Sequence, residues 1–218
     1  MRIYKYLHSC ILIEDKGKKI LIDPGTFSFI EKKITPEDFK GISAVLVTHA
    51  HADHADAEAL KIILNNNPKA KVFSNSGVQD FLKPTKISVE IFEEGEQMIG
   101  GFKVEAVAAK HESILTAIPA NTAYRINKTV VHPGDSMNDS IMKFQGSAVL
   151  ALPIIASWTK QLLVAEFGLK MKPNTAIPIH DGFIKDFFQS RQNTLYKEHF
   201  SKFDIDYRPL GVGEYIER

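Results

Sequence analysis

Three of the eight histidines in this 218-residue chain lie in one short stretch, Thr48-His49-Ala50-His51-Ala52-Asp53-His54. A short apolar run at residues 44–47 comes before it, and apolar residues at helical spacing follow from Ala57 onward. The stretch is therefore predicted to be a loop between a strand and a helix. His49 and His51 can face one way and the last two residues another, which would serve two ions. Imidazole and carboxylate groups suit zinc, manganese or iron, and this density favours a metal site over a polar loop that only exposes its histidines to water.

Three further ligand-type residues follow other predicted strands. They are His111, Asp135 and His180, and each comes just past the end of a β-type run. Sites built past the ends of strands, on loops held by a rigid sheet, are a common arrangement. If these strands share one edge with the strand at residues 44–47, side chains from four separate segments meet at one place.

The composition excludes a disordered tail protein, a collagen-like repeat and a coiled coil. The chain has 27 Lys and Arg against 26 Asp and Glu, a net charge of +1, and 44% apolar residues, which is ordinary for a globular protein. The even charge balance predicts neither a nucleic-acid nor a membrane-surface partner, since both attract a basic excess. Cys10 is the single cysteine, so no intrachain disulfide can form. With no signal-peptide pattern and no apolar run of roughly 18 residues, we expect a cytoplasmic protein.

Many strand-like segments and a few helices extend along the chain without a linker or an internal repeat. We therefore expect one domain over residues 1–218, with two packed sheets covered by helices. A C-terminal helix is predicted from Phe183 onward, with Ile184, Phe188 and Leu195 along one face.

The loop Thr48–His54 matches the HxHxDH motif of the metallo-β-lactamase superfamily, and the later His and Asp residues follow in the order which that superfamily uses. The segments Tyr6-Leu7-His8-Ser9-Cys10, Ile20-Leu21-Ile22-Asp23-Pro24 and Ile177-Pro178-Ile179-His180 resemble its branch of ascorbate-phosphate lactonase-like metal-dependent hydrolases. The resemblance covers nearly the whole chain. It implies an α/β protein with the αββα sandwich, in which two packed mixed sheets are flanked by helices.

The same resemblance implies a centre with two divalent metal ions, zinc first and manganese or iron as alternatives. The first ion would be held by His49, His51 and His111. The second would be held by Asp53, His54 and His180, and Asp135 would bridge both. A metal-bridging hydroxide would be the nucleophile, and Asp53 would be the catalytic residue that orients it and passes its proton to the leaving group.

Several residues outside this set are open to two interpretations. His8 is expected near the site, in contact with substrate or supporting the metal ligands. Trp158 is either a wall of the substrate pocket or a core residue. Asp23 either supports the ligands or forms a turn. His132 is expected to be a packed strand residue.

The sequence thus predicts a metal-dependent hydrolase that cleaves an ester, lactone or phosphodiester bond of a small substrate, either anionic or neutral. One alternative is an RNA- or DNA-processing nuclease of the same superfamily, although no basic stripe alternates with aromatic residues. The other alternative is a non-catalytic metal-binding module, which would be expected to lack ligands. The sequence does not determine the oligomeric state.

Overall fold

The protein is described by a computed structural model that covers residues 1–218. Its fourteen strands form two mixed sheets of seven strands each. In spatial order, the first sheet contains β14 (Tyr215–Glu217), β1 (Arg2–Lys5), β2 (Ile11–Asp15), β3 (Lys18–Ile22), β4 (Ala44–Leu46), β5 (Lys71–Ser74) and β6 (Val89–Ile91). The second contains β13 (Asp206–Tyr207), β12 (Thr175–Ile179), β11 (Val149–Pro153), β10 (Val130–His132), β9 (Thr122–Ile126), β8 (Phe102–Ala108) and β7 (Gly95–Ile99).

Helices cover the outer faces of both sheets. The α-helices are α1 (Ala57–Asn66), α2 (Ser76–Leu82), α3 (Gln161–Met171) and α4 (Asp186–Ser201), and the 3-10 helices are Thr26–Ser28, Pro36–Asp38, Lys83–Thr85 and Asp139–Phe144. None of the helices is both long and apolar enough to cross a bilayer.

Alternating side chains on the strands build three apolar clusters. On β2, Ile11 and Ile13 point into the cluster between the sheets, whereas Leu12 points into the cluster under α1 and α2. On β12, Ile177 and Ile179 join the central cluster and Ala176 joins the cluster under α3 and α4. This is the period-two pattern of strands that are buried on both faces. The predicted αββα sandwich of two packed mixed sheets is confirmed.

The loops that follow several strands meet where the two sheets come together. There, an isolated antiparallel bridge joins His49, after β4, to Asn121, before β9. Residues that follow β4, β8, β10 and β12 also lie close together, as the positions of the ligand-type residues predict. That residues 1–218 form one domain stays a prediction.

Three elements differ from the sequence-based prediction. Strand β7 and helix α2 were not predicted, because β7 is an exposed edge strand with little apolar alternation and α2 has only 7 residues. The prediction that Ile184, Phe188 and Leu195 share one face of the C-terminal helix was wrong. Helix α4 begins after Ile184 and is buried through Tyr196 and Phe200, which stack on the second sheet, whereas Phe188 and Leu195 are 37% and 40% exposed.

Candidate metal centre

The loop between β4 and α1 is held in shape by its two neighbours. At its end, the carboxylate of Asp56 caps α1 by accepting hydrogen bonds from the N–H groups of Glu58 and Ala59. Against its middle, Gly25 packs so closely that a Cβ there would lie 1.9 Å from the carbonyl carbon of Asp53. Only glycine fits at that position, and the close approach fixes the path of the backbone that carries Asp53 and His54.

The structure brings all seven predicted ligands together, in two adjacent clusters. The ligand atoms of the first cluster lie within 4.8 Å of one another, and its members are His49, His51, His111 and Asp135. The second cluster has the same spread, and its members are His8, Asp53, His54 and His180.

Asp135 lies between the two clusters. Its Oδ2 is 2.9 Å from Nε2 of His180 and 3.6 Å from Nε2 of His111, and its Oδ1 is 3.2 Å from Nε2 of His54. One carboxylate thus reaches histidines of both clusters, which is the position a bridging ligand needs.

Three atoms of the centre are buried and make no hydrogen bond of good geometry, although two of them, on His54 and Asp135, lie 3.2 Å apart. They are Nε2 of His54, Nε2 of His111 and Oδ1 of Asp135. Buried polar atoms are nearly always paired, because an unpaired one costs about 1–3 kcal/mol. Orphaned imidazole nitrogens and a carboxylate oxygen that face one another are a donor set that divalent transition metals satisfy. The residues present therefore fit the ions that the sequence motif implies.

Hydrogen bonds on the far side of the rings determine which nitrogen faces the centre. Nδ1–H of His111 donates to the carbonyl of Glu112 at 2.7 Å, and Nδ1–H of His180 donates to the carbonyl of Ile155 at 2.6 Å. In both rings Nε2 is therefore the unprotonated nitrogen of the neutral form, with its lone pair directed at the centre.

Asp23 controls the orientation of one histidine in each cluster. Its fully buried carboxylate accepts hydrogen bonds from the N–H and the hydroxyl of Thr48, both at 2.7 Å, and from Nδ1–H of His54, also at 2.7 Å. The hydroxyl of Thr48 in turn lies 3.0 Å from Nδ1 of His49 and can accept its proton. Asp23 therefore supports the ligands in addition to shaping the turn that its φ of +49° marks.

The charges of the centre are strongly coupled. Burial opposes ionisation of Asp135, but His180 and His54 outweigh it and hold the pKa of this carboxyl well below its usual range. Burial likewise opposes a charge on His54, yet Asp135 and Asp23 raise the pKa of its imidazole well above the ordinary value. The pKa of His49 is lowered, first by burial and then by the neighbouring His54. The carboxylates thus favour positive charge at the centre, which metal ions also supply.

His8 is buried beside Asp53. Its Nδ1 accepts the N–H of Gly182 at 3.2 Å, so Nε2 carries the proton of the neutral ring and donates to Oδ2 of Asp53 at 3.0 Å. Burial lowers the pKa of His8 to about 4, although Asp53 acts in the opposite direction. His8 has no exposed surface, and its predicted contact with substrate stays a prediction.

Trp158 stands over the centre, with its ring centroid 5.7 Å from that of His180 and 6.3 Å from that of His111. Two phenylalanines lie on the side of His8, where Phe27 is 5.2 Å and Phe183 is 5.8 Å away between ring centroids. These distances place Trp158 beside the ligands, as a wall of the substrate pocket would be, and its contact with substrate stays a prediction. His132 is packed in the interior, as predicted, and donates from Nε2 to the carbonyl of Ser9 at 2.9 Å.

Two positioning contacts had no signal in the sequence. The amide of Asn121 donates to the carbonyls of Ala109 and Pro133, both at 3.0 Å, and so ties the loop of His111 to the loop of Asp135. The buried ammonium of Lys5 lies 3.0 Å from the carboxylate of Asp181, the residue after His180. Both contacts join segments that are far apart in the sequence. Each is made by a single polar residue, and no local pattern distinguishes such a residue from one on the surface.

Known proteins resemble this chain over most of its length. The sequence model of the beta-lactamase superfamily domain matches residues 2–180. Protein Rv0786c of Mycobacterium tuberculosis is 30% identical over 192 residues, which are 84% of this chain and 85% of that protein. A UPF0173 metal-dependent hydrolase of Nanoarchaeum equitans is 33% identical over 190 residues, which are 81% and 82% of the two chains.

Solved structures share the fold at lower identity. Igni18, a metallo hydrolase of Ignicoccus hospitalis, superposes with a TM-score of 0.70 at 21% identity and covers 99% of this chain and 97% of its own. The metallo-β-lactamase fold protein YhfI of Bacillus subtilis superposes with a TM-score of 0.72 at 16% identity and covers 100% and 98%. Together, the match over residues 2–180, the shared sandwich and the HxHxDH loop at its edge show that this chain belongs to the metallo-β-lactamase superfamily.

Proposed function

We propose that this protein is a hydrolase that depends on two divalent cations and cleaves an ester, lactone or phosphodiester bond of a small molecule. The observation that carries the proposal is the pair of clusters that share Asp135 and leave three buried ligand atoms without partners. The metal-dependent hydrolase of Nanoarchaeum equitans, which is 33% identical, supports it.

In this proposal, one cation is held by His49, His51 and His111, and the other by Asp53, His54 and His180, with Asp135 shared. Zinc is the first candidate, and manganese and iron are the alternatives, because imidazole and carboxylate ligands accept all three. Bound cations supply Lewis acidity, which lowers the pKa of a water and polarises the bond to be cleaved.

Asp53 is the carboxylate of the centre that a substrate can reach, since its side chain is 24% exposed and that of Asp135 is 2% exposed. Burial opposes its ionisation, but His8 and His54 outweigh this effect and lower the pKa of Asp53, which keeps the carboxylate charged. We assign to this carboxylate the transfer of a proton to the leaving group. We assign to His8 the positioning of Asp53, because the Nε2–H of His8 holds its Oδ2.

The proposal includes a small-molecule substrate and no nucleic-acid or membrane partner, for which the net charge of +1 is the support. No observation favours the nuclease or the non-catalytic module over the hydrolase.

The test combines metal analysis with turnover. Purified protein is reconstituted separately with zinc, manganese and iron, its metal content is measured by elemental analysis, and it is assayed against lactone, thioester, phosphodiester and folded RNA substrates. We expect about two ions per chain and metal-dependent hydrolysis of a small substrate.

Histidine variants assign the two clusters. His111→Ala should weaken binding of one ion and His180→Ala binding of the other, whereas His199→Ala on α4, outside both clusters, should bind both. Protein that takes up no transition metal after reconstitution would contradict the proposal. Cleavage of RNA alone would replace it with the nuclease.

A further inference from the structure

The two clusters are closed on most sides by the fold. Six of the eight clustered residues are buried, and only His51 and Asp53 have intermediate exposure. A substrate must therefore approach from the side on which these two residues lie, and the groups around that opening determine what it accepts.

Three aromatic side chains pack against histidine rings of the clusters, and we call them the aromatic arc: Phe27, Phe183 and Trp158. Phe27 and Phe183 are 6.2 Å apart between centroids, and the ring of Phe183 is 5.4 Å from that of His180. Trp158 also contacts His180, and it contacts His111 of the first cluster. The arc therefore extends along both clusters, and Phe183 is 46% exposed although it is a large apolar residue.

The carboxylates of the centre form no ion pair with a lysine or an arginine. No lysine or arginine lies within 4.0 Å of a carboxylate oxygen of Asp53 or Asp135, whose ionic contacts are all with histidines. The cation–π contacts of the protein involve other rings. The nearby buried cation, Lys5, is already paired with Asp181. A substrate group that lies on the arc would meet apolar ring faces, which favour an uncharged group.

We propose that the substrate carries an uncharged aromatic ring next to the bond that is cleaved, and that this bond is an ester or lactone. This inference rests on the proposed function for the hydrolytic step. It narrows the small substrate expected from sequence to one that presents an uncharged ring, because flat apolar groups pack on exposed rings in stacked or edge-on geometry.

The reaction is a balanced addition of one water. A new C–O bond forms between the water oxygen and the acyl carbon, and the bond from that carbon to the alkoxy oxygen breaks. One proton of the water passes by way of the Asp53 carboxylate to the alkoxy oxygen. The products are a carboxylic acid and an alcohol, which remain joined in one molecule when the substrate is a lactone.

Two lactones that differ only in a fused benzene ring test the inference. Metal-loaded protein is assayed with dihydrocoumarin and with δ-valerolactone, and each kcat/KM is divided by the rate constant of alkaline hydrolysis of the same lactone. We expect the corrected value to be about tenfold or more higher for dihydrocoumarin. Phe183→Ala and Trp158→Phe should each lower kcat/KM for dihydrocoumarin several-fold more than kcat/KM for δ-valerolactone.

A matched control is Phe187→Ala, since Phe187 is 72% exposed and has no ring contact with the centre. It should behave as wild type with both lactones. Metal content is measured for every variant, so that a loss of ions is not mistaken for a loss of ring contact.

Binding without turnover separates this inference from the proposed function. Trp158 is the only tryptophan, so its fluorescence reports on the arc alone. Titration with 3-phenylpropanamide, a neutral amide, should change the emission saturably in wild type and several-fold more weakly in Phe183→Ala. The anion 3-phenylpropanoate should bind metal-free protein more weakly than the amide.

The outcomes are distinct. Saturable binding of the amide with no hydrolysis of any substrate would support the arc and refute the hydrolase. Hydrolysis with equal corrected rates for both lactones, together with no response to the amide, would overturn the aromatic substrate and leave the hydrolase standing. Tighter binding of the propanoate to metal-free protein would also overturn it.

Discussion

Replacing Asp23 by asparagine should weaken metal binding at the centre without any change to a ligand. The carboxylate accepts three hydrogen bonds at 2.7 Å, two from Thr48 and one from Nδ1–H of His54. An amide presents only one oxygen. If that oxygen keeps the N–H of Thr48, the NH₂ group faces Nδ1–H of His54, and two donors meet. His54 can relieve this clash by moving its proton to Nε2, the atom that faces the cation.

The expected loss of metal affinity follows from that tautomer change. Substitution of the groups that orient metal-bound histidines typically costs 10–100-fold in affinity. Asp23 acts on His54 directly and on His49 through Thr48, so we expect the upper part of that range for the second ion and a smaller loss for the first. The lost charge-assisted hydrogen bonds should lower the free energy of unfolding by about 2–3 kcal/mol.

The assay is competition with a chromophoric chelator, which measures both dissociation constants on one sample, and urea unfolding of the metal-free protein. Asn67→Ala is the control, because Asn67 is also buried and its side chain forms hydrogen bonds only with the backbone of Phe39, Ile42 and Ile63. The control should lose stability and keep both metal affinities. Wild-type affinity for both ions in Asp23→Asn would refute the reasoning.

Three further predictions concern buried groups. His8→Gln can still donate a hydrogen bond to Asp53, so its kcat should stay within about tenfold of wild type at equal metal content. The kcat of His8→Ala should fall about 100-fold, and equal losses in the two variants would contradict a positioning role. Burial raises the pKa of Cys10 to about 12, so a thiol-specific disulfide reagent at pH 8 should react only after unfolding; rapid labelling of the native protein would contradict this. Burial lowers the pKa of His132, although Asp23 opposes this, so the native state excludes a proton that the unfolded chain accepts. Above about pH 6.5, His132 is neutral in both states and its full contribution to the free energy of unfolding is present. Below that pH, the unfolded chain binds the proton, and the contribution falls by up to about 1.4 kcal/mol per pH unit. The difference in free energy of unfolding between metal-free wild type and His132→Gln, measured by urea titration, should therefore narrow as the pH falls, and a constant difference would exclude this linkage.

The sequence alone determined the ligand-rich loop and the class of fold. The spacing of His49, His51, Asp53 and His54 is local, and so is the period-two pattern of strands such as β2 and β12. Local patterns of this kind are set by the directions in which successive side chains point, and these directions follow from the backbone conformation. The apolar runs that precede His111, Asp135 and His180 also predicted that these residues lie at strand ends.

Only the tertiary structure decided which distant residues support the centre. Gly182 reaches His8 across 174 positions of sequence, and Asn121 ties together loops that follow β8 and β10. The two open interpretations of Asp23 were resolved in the same way, by its contacts with Thr48 and His54. The aromatic arc was not predicted beyond Trp158, because Phe27 and Phe183 have no motif of their own. These contacts depend on the order and register of strands in two sheets, and that arrangement is selected by packing of the whole core, which no local pattern of residues encodes.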